Sequence, residues 1–547
     1  MAEALSIAAG ESRRLRAFVD DLDGWDGQDC DTGTNALLTF EAMARATLAL
    51  DGNTSLAGML EAAVAAGIRE GIGHVGVLVS SVLAAWADAL ARMGEGEAGE
   101  LTPVATRAML RREPWTVDGT HMVWSVAVES MIDEGTSELE TLGDTLPDVA
   151  GIVSLFSSQA QYGLVNATSE RTGRVDAGAA VLAVLFTSLD AAVREDTAVL
   201  ISLTQMLADL AGSPGASSPR PQAPSPDRAF GVDIVLRGTR AEATRVFVDL
   251  SSLGVRYSSV GFSDLFGVGE WRVHVDTSAP LAVRPRSGLV WRFQVCDARP
   301  DELIGEDPLS DVVTHRGARL LERSTLTRVE RACVVACTRA PGLVEDLAQA
   351  GAVVLLDPGG DDTTAIATQA RRSSTGVCLV APCDEGSADL ARRVASDLGS
   401  TRESDAAAAR MARTLRVLVA TSDDDLGVLS VSQACATLFV PRPGGPSVAG
   451  IIAPMLEGTA AQAIERSRTV VLPVPGEDPG FGAAVHEIVS REPRHFRVLV
   501  GAGQDGPFLV AMLRQVLAST GSGEPQTPDL EAIDGAQPGP SLLQGVR

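Results

Sequence analysis

The chain has 547 residues and no lysine, so all 45 of its basic side chains are arginine. That excludes a P-loop lysine, a Schiff-base lysine and a lysine general base. Cysteine is scarce as well. Residues 30, 296, 333, 337, 378, 383 and 435 form an odd set of seven with no CxxC pair and no nearby histidine cluster. This pattern fits reduced thiols in a cytoplasmic protein better than a disulfide framework. The first residues, MAEALSIAAGESRRLRAF, lack an apolar stretch after a basic start, so secretion is not expected. The longest apolar stretches, Val75 to Trp86 and Ala177 to Leu189, fall short of the roughly 20 residues of a membrane span and read as buried core helices. No transmembrane segment is expected. Positive charge is also in deficit: 71 acidic side chains leave a net charge of -26, which repels nucleic acid and anionic membrane surfaces. What remains is a chain with 45% hydrophobic and 21% charged residues, long enough for three or four globular domains.

Residues 1–212 carry Ala/Leu/Val-rich segments at helical spacing with almost no β-branched alternation, which predicts an all-helical domain. Residues 213–228 are rich in Pro and Ser and read as a semi-stiff linker. The period then changes. Phe230 to Leu236 alternates as a strand, Arg240 to Leu253 reads as a helix ended by Gly254, and Val255 to Ser259 and Trp271 to Val275 read as strands, giving a small α/β module over 229–330. From 331 to 519, short apolar strands alternate with helices: Cys333 to Thr338, Gly342 to Ala350, Ala352 to Asp357, Thr363 to Arg372, Val377 to Pro382, Ala388 to Leu398 and Leu415 to Thr421. That order predicts a parallel sheet with crossover helices on both faces. Phe496 to Gly501 followed by Pro507 to Ala518 repeats the unit, and 520–547 reads as a disordered tail.

One loop carries chemistry. Asp29 and Asp31 are spaced to present two carboxylates to one hard cation, with Asp23 as a third, and Thr32-Gly33-Thr34 offers hydroxyls and exposed amides to phosphate oxygens. The same residues are also explained as the cap of a helix starting near Asn35. An EF-hand is excluded, because the twelfth position from Asp29 is Phe40 rather than a bidentate Glu. Gly71-Ile72-Gly73-His74-Val75-Gly76 spells G-x-G-x-x-G, yet it follows an Ala-rich helix rather than a strand and is not a dinucleotide fingerprint. His121 reads as a structural histidine, Asp176 as an N-cap or nucleotide-orienting residue, and Cys333 and Cys337 as buried thiols.

The string Leu22-Asp23-(x5)-Asp29-Cys30-Asp31-Thr32-Gly33-Thr34-Asn35 resembles the metal and nucleotide loop of the dihydroxyacetone kinase L-type domain as found in bacterial fatty acid kinase, whose pattern is near LN-x5-DGDTGTN. Three further segments follow in the family's order. Gly73-His74-Val75-Gly76-Val77 stands where the family has Gly-Asn-Ser-Gly-Val, Val117-Asp118-Gly119-Thr120 where it has Val-Glu-Gly-Thr, and Val175-Asp176-Ala177-Gly178-Ala179 where it has Val-Asp-Ala-Gly-Gly. Beyond the linker, Phe230-Gly231-Val232-Asp233 and Val273-His274-Val275-Asp276-Thr277 resemble the family's Tyr-Cys-Thr-Glu and Val-His-Val-His-Thr, and the βα units resemble its DegV-like C-terminal domain.

The resemblance implies a multidomain protein: an all-α helical barrel kinase domain, a small α/β middle module and a DegV-like α/β domain. It implies ATP and Mg2+ as cofactors. Asp23, Asp29 and Asp31 would be the metal ligands, and Thr32, Gly33, Thr34, Asn35, Gly73, His74, Gly76, Gly119, Thr120, Asp176 and Gly178 the nucleotide-binding residues. The acceptor would be a fatty acid held by a separate DegV-like lipid-binding protein, and a homodimer is compatible with it. Three departures stand out. His74-Val75 replaces Asn-Ser, removing a hydroxyl from the phosphate loop. Gly231 and Asp276 replace the Cys and second His of a metal site in relatives, so no zinc is expected with His274 alone. Ala381-Pro382-Cys383-Asp384-Glu385-Gly386 replaces Leu-Pro-Asn-Asn-Lys-Asn. Two other readings stand beside the kinase: a glycerone (dihydroxyacetone) kinase, for which a substrate domain with a covalent His is not identifiable, and a pseudokinase serving as a nucleotide-binding scaffold.

Overall fold

A computed structural model describes residues 1–22, 30–93, 101–111, 124–141, 147–172, 174–211, 229–264, 266–298, 303–306, 312–315, 318–321, 326–400, 415–441, 444–469, 472–474 and 500–502. The chain forms two compact units. The first comprises Met1–Ser278, Pro285–Trp291 and Ala298–Val329; the second comprises Ala279–Arg284, Arg292–Asp297 and Glu330–Arg547.

The first unit opens with helices α1 (Ala2–Leu22), α2 (Thr32–Leu48), α3 (Leu56–Glu70), α4 (Gly73–Ala91), α5 (Pro103–Leu110), α6 (Val126–Thr141), α7 (Val149–Asn166), α8 (Ala177–Arg194) and α9 (Ala198–Ala211). Its core is built from alanine, leucine and valine around two long apolar helices, α4 and α8. Both have the length and hydropathy of membrane spans, but 78% of each apolar window is buried within the fold, as for core helices. Alanine on facing helices permits close approach, and the large side chains Trp86, Phe156 and Phe186 pack against one another within the core.

The same unit holds three antiparallel strands, β1 (Phe230–Thr239), β2 (Arg256–Ser263) and β3 (Val268–Thr277), with β3 between the other two. Helix α10 (Arg240–Leu253) links β1 to β2. It starts at a Thr239/Glu242 capping box and stops at Gly254, whose φ of +68° suits the left-handed C-cap. These bounds agree with the sequence reading of that segment. The two faces of the sheet differ sharply. Ile234, Leu236, Trp271, Val273 and Val275 alternate onto one face and Asp233, Arg272, His274 and Asp276 onto the other. The polar face is not left to solvent. It lies against α3 and α4, and Val235 and Val260 on it join the helical core.

The second unit carries β4 (Leu289–Asp297, from Arg292 onward), β9 (Cys333–Thr338), α11 (Val344–Gln349), β10 (Val353–Leu356), α12 (Thr363–Arg372), β11 (Val377–Ala381), α13 (Glu385–Ser400), β12 (Arg416–Val419), α14 (Asp425–Cys435) and α15 (Pro446–Thr469); the short strands β5 (Leu303–Glu306), β6 (Val312–His315), β7 (Ala318–Leu321) and β8 (Leu326–Arg331, as far as Val329) fall in the first unit. Strands β12, β11, β9 and β10 are parallel neighbours in that order. The chain steps from β9 to β10, then reverses past β9 to β11. Right-handed crossovers therefore put α11 on one face and α12 and α13 on the other. The parallel sheet expected from the sequence is extended by β4, which joins β10 antiparallel, Val354 opposite Val295. Residue 295 falls within the stretch that composition reads as the middle module, and it lies in the second compact unit. All seven cysteines are free thiols.

Candidate functional site

The helical site grows from the start of α2. Asp31 is its N-cap, buried, but its side chain caps no backbone amide; Oδ1 instead accepts from the Asn35 side-chain amide at 2.7 Å. The preceding Cys30 holds φ at +56°, a left-handed conformation that a non-glycine residue adopts under local constraint. Asp20, near the end of α1, accepts both the Thr34 backbone N–H and its hydroxyl, each at 2.8 Å. It was not identifiable from the sequence, where it is one of several acidic residues ending an amphipathic helix. Asn35 Oδ1 is buried without a hydrogen-bond partner among the described residues.

The start of α4 meets this spot. Gly73 has φ +65°, and a Cβ there would stand 2.8 Å from the Asn35 side-chain nitrogen, so glycine is what allows the two loops to approach. The N-cap of α4 is Ile72, which has no side chain able to cap, and the first backbone bond closes from Gly76 N–H to Ile72 O. Ile72 thus caps none of the preceding first-turn amides. Gly76 lies close to Thr39 of α2, where a Cβ would be 3.2 Å from the hydroxyl. Gly178, in the first turn of α8, faces Leu78 of α4, while Asp176 caps α8 by accepting the Ala179 N–H at 2.7 Å.

The structure therefore brings Asp31, Thr34, Asn35, Gly73 and Gly76 together and sets the start of α8, with Asp176 and Gly178, against α4. Two of the expected residues have structural duties. Gly33 passes under the Arg16 carbonyl, where a Cβ would be only 2.3 Å from the oxygen, and the Thr34 amide is already taken by Asp20. Thr32 opens α2 next to Asp31. Asp23, Asp29, Gly119 and Thr120 lie outside the described residues, as does His121.

His74 takes a different direction from its neighbours. Its ring leaves the start of α4 and enters the polar face of the sheet, with Nδ1 2.8 Å from Ser258 Oγ and Nε2 3.1 Å from Asp276 Oδ2. There it meets His274, ring centroids 4.5 Å apart and edge to face. His274 Nδ1 lies 3.0 Å from Asp233 Oδ1, and Arg272 donates to that same carboxylate at 2.6 Å and to the Ile68 carbonyl of α3 at 3.3 Å. Register explains the cluster. Asp233 and Ser258 flank His274 on either side across the three strands, so one face collects the charges.

Charge settles unequally on the two rings. Burial, reinforced by the neighbouring His274, lowers the His74 pKa to about 4. Burial also opposes charge on His274, but the Asp233 and Asp276 carboxylates outweigh it and raise that ring to about 10. Asp233 and Asp276 are held well below the usual carboxylate range despite burial, Asp233 by Arg272 and His274 and Asp276 by the two histidines. Without a bound cation, His274 is thus an imidazolium that donates to both carboxylates. Neutral His74 donates from Nε2 to Asp276 and accepts at Nδ1 from the Ser258 hydroxyl. The sequence reading weighed donors on β1 and β3 alone; only the fold adds His74 from α4.

No protein-family model and no curated protein matches the chain.

Proposed function

We propose that the chain is an ATP-dependent phosphotransferase of the fatty acid kinase type, acting on an acyl carboxylate presented by a separate lipid-binding protein. The observation that carries this reading is the convergence of motifs far apart in sequence, Asp31 to Asn35 and Gly73 to Gly76, as two helix starts in contact at a buried, partly unsatisfied polar spot. Helix N-termini attract phosphate through unpaired amides and the helix dipole. Here the Thr34 amide is taken, so the amides of the first turn of α4 are the ones that receive phosphate oxygens. Asp31 and Asn35 Oδ1, which meets no donor among the described residues, suit a hard cation, and they would hold magnesium. The metal, when bound, neutralises phosphate charge. A carboxylate acceptor is already ionised at neutral pH, so no general base is needed. Seven free thiols agree with a cytoplasmic location.

The test is calorimetric titration of Mg-ATP into wild type and Asp31→Ala, with helical content monitored by circular dichroism. Loss of binding with helices intact supports the site, and equal affinity in both proteins refutes it. Acyl-phosphate formation with a lipid-loaded partner then separates kinase from nucleotide-binding scaffold. Val75 lacks the hydroxyl of the family pattern, and losing one hydrogen bond to a charged group costs about 1.5–3 kcal/mol. Val75→Ser should therefore raise transfer by about 10- to 100-fold. ATP binding without transfer by either protein would favour the scaffold.

A further inference from the structure

We propose that His74, His274 and Asp276 form a transition-metal site, zinc in type, through which a residue of the nucleotide loop is tied to the β-sheet. The Nε2 atoms of both rings are aimed at the Asp276 carboxylate, 3.1 Å from Oδ2 for His74 and 3.5 Å from Oδ1 for His274, and one donor atom of each residue lies within 4.8 Å of the others. Two donors on a tetrahedral ion with bonds of about 2.0–2.1 Å stand roughly 3.3 Å apart, so these separations need little adjustment. The opposite ring nitrogens are already held, His274 Nδ1 by Asp233 and His74 Nδ1 by Ser258. Such outer partners orient ligating imidazoles and leave the inner nitrogen for a metal. Two imidazoles and a carboxylate suit zinc, cobalt or nickel rather than magnesium or calcium, and three protein ligands leave a fourth position open.

Gly231 stands directly opposite Asp276 in the strand register, so the position that carries Cys in the resembling family adjoins this cluster but supplies no donor. His74 supplies the third donor from another element, the first turn of α4. That relocation gives the metal a consequence. His74 follows Gly73, whose backbone abuts Asn35, so an ion held by His74 constrains the loop assigned above to the nucleotide. This link rests on the proposed function, whereas the metal site itself does not.

Metal-stripped wild type incubated with zinc chloride in magnesium-free buffer, then freed of excess ion, should retain one zinc per chain by elemental analysis. Cobalt in its place should give the visible absorption of a low-coordinate site. His74→Asn should lose both, with helical content unchanged. Ser258→Ala, which keeps all three donors, should still bind one ion but about 10- to 100-fold more weakly. Zinc-free wild type, full zinc retention by His74→Asn, or unaltered affinity in Ser258→Ala would overturn the site. Zinc-loaded and metal-free proteins should also differ about fivefold or more in Mg-ATP affinity. Equal affinities would sever the link to the nucleotide loop, whereas absence of ATP binding in both forms would instead refute the proposed function and leave the zinc result standing.

Discussion

Gly33 shows how one residue can carry a duty that a motif does not announce. In the loop pattern it reads as a glycine that bares amides to phosphate, but in the fold it lets α2 cross α1 at the Arg16 carbonyl. Gly33→Ala would place a methyl 2.3 Å from that oxygen and 3.0 Å from the Val19 Cβ, neither of which is the far end of a flexible side chain. Overpacking of this kind costs about 1–3 kcal/mol. A lowered denaturation midpoint with unchanged slope in urea is the expected result, and a variant as stable as wild type would show that the helices separate readily. Asp20 is its counterpart among polar residues. Asp20→Ala removes the acceptor of two buried Thr34 donors, so destabilisation on the order of 1–3 kcal/mol per unsatisfied donor is expected from the same measurement.

Within helix α8, burial has a pH signature. Asp190 is 3% exposed, receives a weak bond from Ser154 at 3.3 Å, and its Oδ1 meets no donor among the described residues. Burial raises its pKa above 3.8, only partly countered by Arg194 and Ser154. A carboxyl whose folded pKa is raised is tolerated when protonated, and stability falls as the pH climbs above the unfolded value. Asp190→Asn should therefore be more stable than wild type near neutrality, with the advantage shrinking as the pH falls towards 4. A difference independent of pH between 4 and 7 would refute this account. At the same scale, the α10 caps behave as their residue types dictate. The Thr239/Glu242 box and Gly254 are local devices, which is why that helix was legible residue for residue.

Across the first unit, polar contacts join the helices to the sheet: His74 to Ser258 and Asp276, Arg272 to the Ile68 carbonyl, and Arg69 to Glu270 in a two-pronged bond. The Arg272–Asp233 pair lies beneath them, both side chains almost fully buried. Breaking such a pair from one side leaves an uncompensated charge at a cost of about 3–5 kcal/mol, whereas replacing both partners with apolar groups is often neutral. Asp233→Ala should thus lower stability strongly and speed amide exchange in β1 and β3, and Arg272→Met added to it should recover much of the loss. Additive losses in the double variant would mean that the pair contributes no coupling.

Local chemistry made the coarse plan readable. Helical spacing, alternating strands and the capping residues announce an α-helical first part and α/β parts after it, because those signals act within a few residues of one another. The loop from Asp29 to Asn35 stands out as a candidate for the same reason, as carboxylates, hydroxyls and glycine sit side by side in the chain. What lay beyond reach were encounters between distant segments. Asp20 meets Thr34 only because α1 and α2 pack as a hairpin, and β4 joins β10 only through pairing across more than fifty residues. His274 looked isolated because its partners are scattered: Asp233 on β1, Ser258 on β2, and His74 two hundred residues earlier on α4. A histidine's side chain carries no record of which face will cover it. Strand register and the docking of α4 on the sheet decide that, and those are properties of the packed core rather than of any local stretch.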